Sequence, residues 1–268
     1  MPRPHILITN DDGIHAPGIK HLWQALKAFA EISIVAPAKE QSGAGLAISP
    51  HHPLEIAQVA WPEEASAWSL TGTPADCVKF ALSVCLKKQP DLIVSGINRG
   101  ANHGRNVLYS GTCGGAIEGV LRGIPSIAFS SFDLKNTEYA AFEEYIPGIV
   151  NFVIEHPLPY GSLLNVNFPS TAGKTPSQYS LKLTRQGKEY WLEEPQQRDS
   201  GAYMLGAKLS KYDEHEESDA TWLDRGYITA TPIHVNELTD LHYLQDKKDL
   251  FSQNFCTRSL TSPASASS

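Results

Sequence analysis

Residues Ile6 to Gly13 read ILITNDDG, an apolar run that passes without a spacer into Asn10, two adjacent carboxylates and a glycine. The four leading residues predict a buried strand, and Asn10-Asp11-Asp12-Gly13 the turn that leaves its carboxyl end. Open α/β sheets bind ligands at that end. Neighbouring carboxylates repel, and holding both ionised beside an apolar sheet is costly without a cation. The same four residues also suit an ordinary solvated turn, so the rest of the chain has to choose between the two.

Outward from this octet, strand and helix patterns alternate. A helix is predicted over 17–30, a strand over Glu31–Pro37, a Gly/Ser/Ala-rich loop over 39–49 and a helix over 74–86 with Thr73 as cap. DLIVSGIN (91–98), a helix over 111–122, PSIAFSS (125–131), a helix over 137–154 and LLNVNFP (163–169) complete the series. Alternation of this kind implies right-handed βαβ units and a mostly parallel sheet covered on both faces, a Rossmann-like three-layer α/β domain over residues 1–169. After Pro169 the texture changes. Residues 170–268 read as a hairpin extension, an alternating strand GYITATPI (226–233), an amphipathic helix over 237–255 and a disordered tail from about 257. With so little core of their own, these pieces must dock on the first domain or on another subunit.

The 268 residues are 41% hydrophobic and 19% charged, as in a soluble globular protein, and the net charge of −7 argues against nucleic-acid polymers and membrane surfaces. The strand begins too early to leave room for a signal peptide, and no apolar run is long enough to span a bilayer. Cys77, Cys85, Cys113 and Cys256 form no CxxC pair or zinc-finger spacing, and Cys77 and Cys85 fit a helix core. A cytoplasmic location is the expectation.

Three loops at predicted strand ends carry unusual polar content: Asn10–Gly13, Gln41-Ser42-Gly43, and SGINRGANHGRNVLYSGT from Ser95 to Thr112. The carboxylates of Asp11 and Asp12, the Ser42 hydroxyl and an asparagine carbonyl are oxygen ligands suited to Mg²⁺ or Mn²⁺. Ser110-Gly111-Thr112 opens a helix whose free N–H groups and dipole suit a phosphate. His103 offers a proton donor for a leaving group, while Asp76 reads as a helix-dipole partner, and Tyr190 and Trp191 as packing residues. A dinucleotide fingerprint is missing after the first strand. So is the second Asp, two residues after the first, that an aspartyl-phosphate enzyme of the haloacid dehalogenase type requires: Gly13 and Ile14 occupy those positions.

NDDGIHAPGI, Ala36-Pro37 followed by Gln41-Ser42-Gly43, TGTPADCV, SGINRGANHG, YSGTCGGAIEG, NVNFP and SDATWLDRGYITATPI together resemble the SurE family, the survival-protein 5′-nucleotidases. Cys113-Gly114-Gly115 stands where Val and Ala are more usual, and the loop over 186–199 and the tail match least. The resemblance implies a metal site of Asp11, Asp12, Ser42 and Asn98 holding one divalent cation per subunit. It implies phosphate contacts from Asn102, Ser110, Gly111 and Thr112, with Gly43 beside them. It further implies a hairpin and C-terminal helix exchanged between subunits of a homodimer or homotetramer. The expected activity is hydrolysis of nucleoside 5′-monophosphates by activated water, with Asp11 and Asp12 as the catalytic carboxylates. The general acid stays open between His103 and a water. A non-catalytic metal-nucleotide sensor on the same fold is the alternative; a carbohydrate-active or deacetylating metalloenzyme is less supported, for want of a His-rich ligand set.

Overall fold

The computed structural model describes residues 3–135, 137–172, 179–192, 194–205, 208–210 and 212–255. In chain order the elements are β1 (His5–Thr9), α1 (Pro17–Leu26), β2 (Glu31–Pro37), β3 (Ile56–Gln58), β4 (Ser66–Leu70), α2 (Pro74–Phe80), β5 (Leu92–Arg99), α3 (Gly111–Leu121), β6 (Ser126–Ser131), α4 (Ile146–Glu155) and β7 (Ser162–Phe168). There follow β8 (Leu181–Leu183), β9 (Trp191–Leu192), β10 (Gln196–Gln197), β11 (Tyr203–Met204), β12 (Lys208–Leu209), α5 (Asp219–Asp224), β13 (Ile228–His234) and α6 (Leu241–Phe255).

The main sheet has nine strands in the order β3-β4-β2-β1-β5-β6-β7-β13-β8. Its six central strands, β4 to β7, are parallel, while β3 and β13 run antiparallel to β4 and β7. Counting only those six, the order is the doubly wound 3-2-1-4-5-6, and its direction reverses between β1 and β5. β1 shows why both faces are covered. Successive side chains of a strand point to opposite faces. Ile6 and Ile8 join Leu22, Leu26, Val94 and Phe129 on one side, and Leu7 joins Val35, Leu70, Val78 and Ile93 on the other. Cys77 and Cys113 are free and fully buried, as small core residues.

Two sequence expectations change. The helix expected over 137–154 is a 3₁₀ turn at Tyr139–Phe142 and a separate α4, with Pro147 in its first turn. Proline disfavours a helical residue before it and lacks an N–H, so it suits a helix start. β13 was expected to alternate buried and exposed, yet Ile228 to Thr231 are all buried because β7 and β8 flank it within the same sheet. Pro232 lies beyond the reach of β8, where no ladder partner is lost. β9–β12 and β10–β11 pair antiparallel as the two parts of one hairpin. Residues up to Asn236 form one compact unit and those from Glu237 a second; in the latter, α6 exposes Leu241, Leu244, Leu250 and Phe251. The tail expected from about 257, and Cys256, lie outside the described residues. No helix among the described residues is long and apolar enough to cross a membrane.

Candidate active site

The turn after β1 emerges where the strand order reverses. Gly13, at φ +99°, takes a conformation that favours glycine, and its carbonyl accepts from Asn10 Nδ2 at 2.9 Å. The Asp11 carbonyl accepts from the Gln41 N–H at 2.7 Å, and the Tyr109 carbonyl accepts from the Gly45 N–H at 3.0 Å. The serine loop is thus tied to both of its neighbours. Helix α3 approaches closely because its inner face is glycine: a Cβ on Gly111 would stand 2.8 Å from Asp11 Cβ, and one on Gly114 2.1 Å from the Gly45 carbonyl oxygen.

Together these loops enclose a cleft of about 330 Å³ lined by Asp11, Ser42, Gly43, Asn98, Asn102 and Ser110, with Arg99, Tyr109 and Leu134 among its other walls. Asp11 is buried and held by the Thr112 hydroxyl. Burial, opposed by the Thr112 hydroxyl and reinforced by the negative charge of Asp12, pushes its carboxyl up to about 6. Asp12 is half-buried, and its Oδ2 accepts from the Arg99 N–H at 3.1 Å. Burial raises its pKa too, against the Arg99 N–H and guanidinium. A bulge in the β5–β6 pairing between Ser95 and Asn98 re-aims Asn98 at the strand end. Its Nδ2 donates to the Gly100 carbonyl at 2.6 Å, which leaves Oδ1 for a ligand. The Ser42 hydroxyl donates to Glu40 Oε1 at 2.6 Å and keeps its lone pairs.

The structure therefore brings Asp11, Ser42, Asn98, Asn102, Gly43 and Ser110 to one cleft, with Asp12 joined to it through Arg99. Thr112 is turned to Asp11 rather than outward, and Gly111 packs against Asp11. Ser110 caps α3 by accepting from the Cys113 N–H at 3.1 Å. His103 does not line the cleft: it is buried, with Nε2 3.1 Å from Glu189 Oε2. Asp219 accepts from the Gly104 N–H at 2.9 Å and the Gly187 N–H at 2.7 Å, clamping the segment around Glu189 over this loop.

Sequence reasoning passed over the supports of Asn102. Its backbone N–H donates to Asn167 Oδ1 at 2.7 Å, its carbonyl accepts from Asn165 Nδ2 at 2.8 Å, and its own Nδ2 donates to Ser130 at 2.8 Å. The signal was present in NVNFP, where two asparagines alternate with apolar residues in a strand that proves fully buried. The donors are all oxygens and include two carboxylates whose ionised forms burial disfavours. A hard divalent ion suits such a set.

The family model described as Survival protein SurE matches residues 6–193. The chain is 50% identical over 255 residues to the protein named 5′-nucleotidase SurE of Protochlamydia amoebophila (strain UWE25), covering 93% of this chain and 97% of that one. It is 39% identical to the protein of the same name from Moorella thermoacetica (strain ATCC 39073 / JCM 9320), over 90% and 94% of the two chains. Among solved structures it is similar to the SurE protein of Aquifex aeolicus, with a TM-score of 0.80 and 35% identity, over 92% of this chain and all of that one.

Proposed function

This chain belongs to the SurE family, and on that premise we propose that it is a 5′-nucleotidase that hydrolyses nucleoside 5′-monophosphates at the cleft between β1 and β5. The observation that carries the reading is the junction of Asp11 with the start of α3, where a buried carboxylate meets a helix N-terminus suited to phosphate. Asp11, Asp12, Ser42 and Asn98 would hold one divalent cation, Mg²⁺ or Mn²⁺, which supplies Lewis acidity at the phosphoryl group.

The chain's own groups divide the remaining work. Asp11, buried and fixed by Thr112, is a holder. Asp12 is more accessible and keeps an oxygen beyond the one on Arg99 N–H, so it orients the attacking water and takes its proton. Asn102, locked by Ser130, Asn165 and Asn167, is a rigid wall of the cleft, and the second N–H of its Nδ2 is the donor it can offer a phosphate oxygen. The Gly111 end of α3 stabilises charge on the equatorial oxygens. His103, engaged by Glu189 away from the cleft, serves the loop's shape, and a water protonates the leaving oxygen. The reading extends to a cytoplasmic homo-oligomer joined through the exposed apolar side chains of α6.

Phosphate release from AMP, with and without a chelator, tests it. Release that the chelator stops and Mn²⁺ restores is the expected result. Tight AMP binding with no release from any monophosphate would replace the enzyme with a nucleotide sensor.

A further inference from the structure

Arg99 and Leu134 each have two faces. One lines the cleft just described; the other lines an adjoining hollow of about 490 Å³ whose walls include His21, Lys135, Thr137 and Tyr139. A substrate whose scissile phosphate lies by Asp11 and Ser110 must leave the cleft across its rim, and on this side the rim is Arg99 and Leu134. The hollow's charge is opposite to that of the molecule, which carries −7. Lys135 makes no hydrogen bond or ion pair among the described residues. Arg99 reaches Glu40 only at 3.6 Å with both side chains about half exposed, a contact that water screens and a ligand readily replaces.

The carboxylates near the hollow are already engaged. Glu143 lies 2.5 Å from His21 Nδ1, Asp12 accepts from the Arg99 N–H, and Glu40 accepts from Ser42. His21 is held a second time, stacked on Tyr139 with centroids 5.6 Å apart, and with Nδ1 on Glu143 its imidazolium form presents Nε2–H as the remaining donor to an anion. A nucleobase would want an open aromatic face, but Tyr139 is buried and covered by His21. What the hollow offers instead is two loosely held cations and a fixed imidazole, the chemistry of an anion site.

We propose that this hollow receives a second anionic group of the substrate, a phosphate on the 3′ side of the ribose, so that nucleoside 3′,5′-bisphosphates are better substrates than monophosphates. The proposal rests on the nucleotidase reading and adds a second subsite to it. Arg99 bridges the two subsites, leaving Glu40 as the bisphosphate binds. Lys135 and His21 contact the distal phosphate alone and take no part in hydrolysis of the monophosphate.

The test measures 5′-phosphate release from AMP, from adenosine 3′,5′-bisphosphate and from the 5′-phosphorylated dinucleotide pApA. It uses the full chain and its Lys135→Ala and His21→Ala variants. In the parent, kcat/KM for the bisphosphate should exceed that for AMP about tenfold, expressed in KM, the worth of one added charge-assisted contact. Lys135→Ala should erase that advantage and leave AMP turnover unchanged. The dinucleotide arm tells a terminal phosphate from a bridging phosphodiester. Equal kcat/KM for bisphosphate and AMP in the parent overturns the proposal, as does an advantage that survives in Lys135→Ala. An equal loss on both substrates also overturns it, by assigning the hollow to the nucleoside. If the parent releases no phosphate from AMP, the nucleotidase reading fails instead. Calorimetric titration of the bisphosphate against AMP, in the parent and in Lys135→Ala, then reads the hollow by itself.

Discussion

Asp11 is buried with its carboxyl pushed up to about 6 from 3.8, so the folded chain holds that proton more tightly than the unfolded chain does. Stability from this group is complete below the unfolded value, near pH 4, and is lost as pH rises through 6. The full shift corresponds to about 3 kcal/mol at neutral pH. Asp11→Asn should therefore raise the Tm of the metal-free protein at pH 7.5 and lose that gain by pH 4, while abolishing phosphatase activity. Thermal melts at the two pH values check the sign. Asp12→Asn should keep the fold and cut turnover at least a hundredfold even in saturating Mn²⁺, the usual worth of a positioned base; near-parental turnover would reassign the water to another group. Both aspartates could be read from the chain because adjacent carboxylates at a strand end are costly without a purpose. Arg99, Glu40 and Asp219 could not. Arg99 and Asp219 act through backbone N–H groups, with partners as far off as Gly104 from Asp219, and Glu40 through the Ser42 hydroxyl and the distant Arg99, none of which residue type announces.

Helix α3 shows the same division at the next scale. Its extent and N-cap were legible from YSGT, and the structure starts it at Gly111 with Ser110 as cap. Its close fit against the serine loop was not, because a run of glycines reads equally well as a weak helix. Gly114→Ala should push the loop of Ser42 outward, cost about 1–3 kcal/mol by overpacking and lower activity severalfold. Gly148→Ala in α4 is its control. Beyond its chain neighbours and the helix's own backbone nothing stands within 4 Å of the added Cβ, and the change should stabilise the chain by about 0.5–1 kcal/mol with activity untouched. Denaturant midpoints and phosphate release, measured on both variants, separate the two cases. β1 was readable for a related reason: three large apolar residues in succession, Ile6 to Ile8, leave no face for solvent, and both faces prove buried. β13 misled because apolar Ile228 and Ala230 alternate with polar Thr229 and Thr231 even where the strand is covered on both sides.

Over the whole molecule, the parallel core followed from the order of patterns, whereas the join of β13 and β8 to the far side of β7 did not. A strand reached through a long irregular segment carries no sequence mark of its neighbour. α6 exposes Leu241, Leu244, Leu250 and Phe251 among its charged residues, and exposed apolar side chains gathered on one helix mark an interaction surface. Under the proposed assembly, Leu244→Glu with Phe251→Glu should reduce the solution mass to that of one 29.3 kDa chain, read by light scattering. An unchanged mass would move the interface elsewhere.

Asn102 is fixed by Asn165 and Asn167, side chains that follow it by more than sixty residues and belong to the last parallel strand. Contacts of that separation form late, after the local helices and hairpins. The cleft thus has a maturation order. On the ribosome or in refolding, the carboxylate turn and the start of α3 can meet before β7 exists, but the phosphate wall cannot close until β7 docks. Catalytic competence then waits on the sixth parallel strand, and a chain made only as far as α3 cannot yet form the cleft.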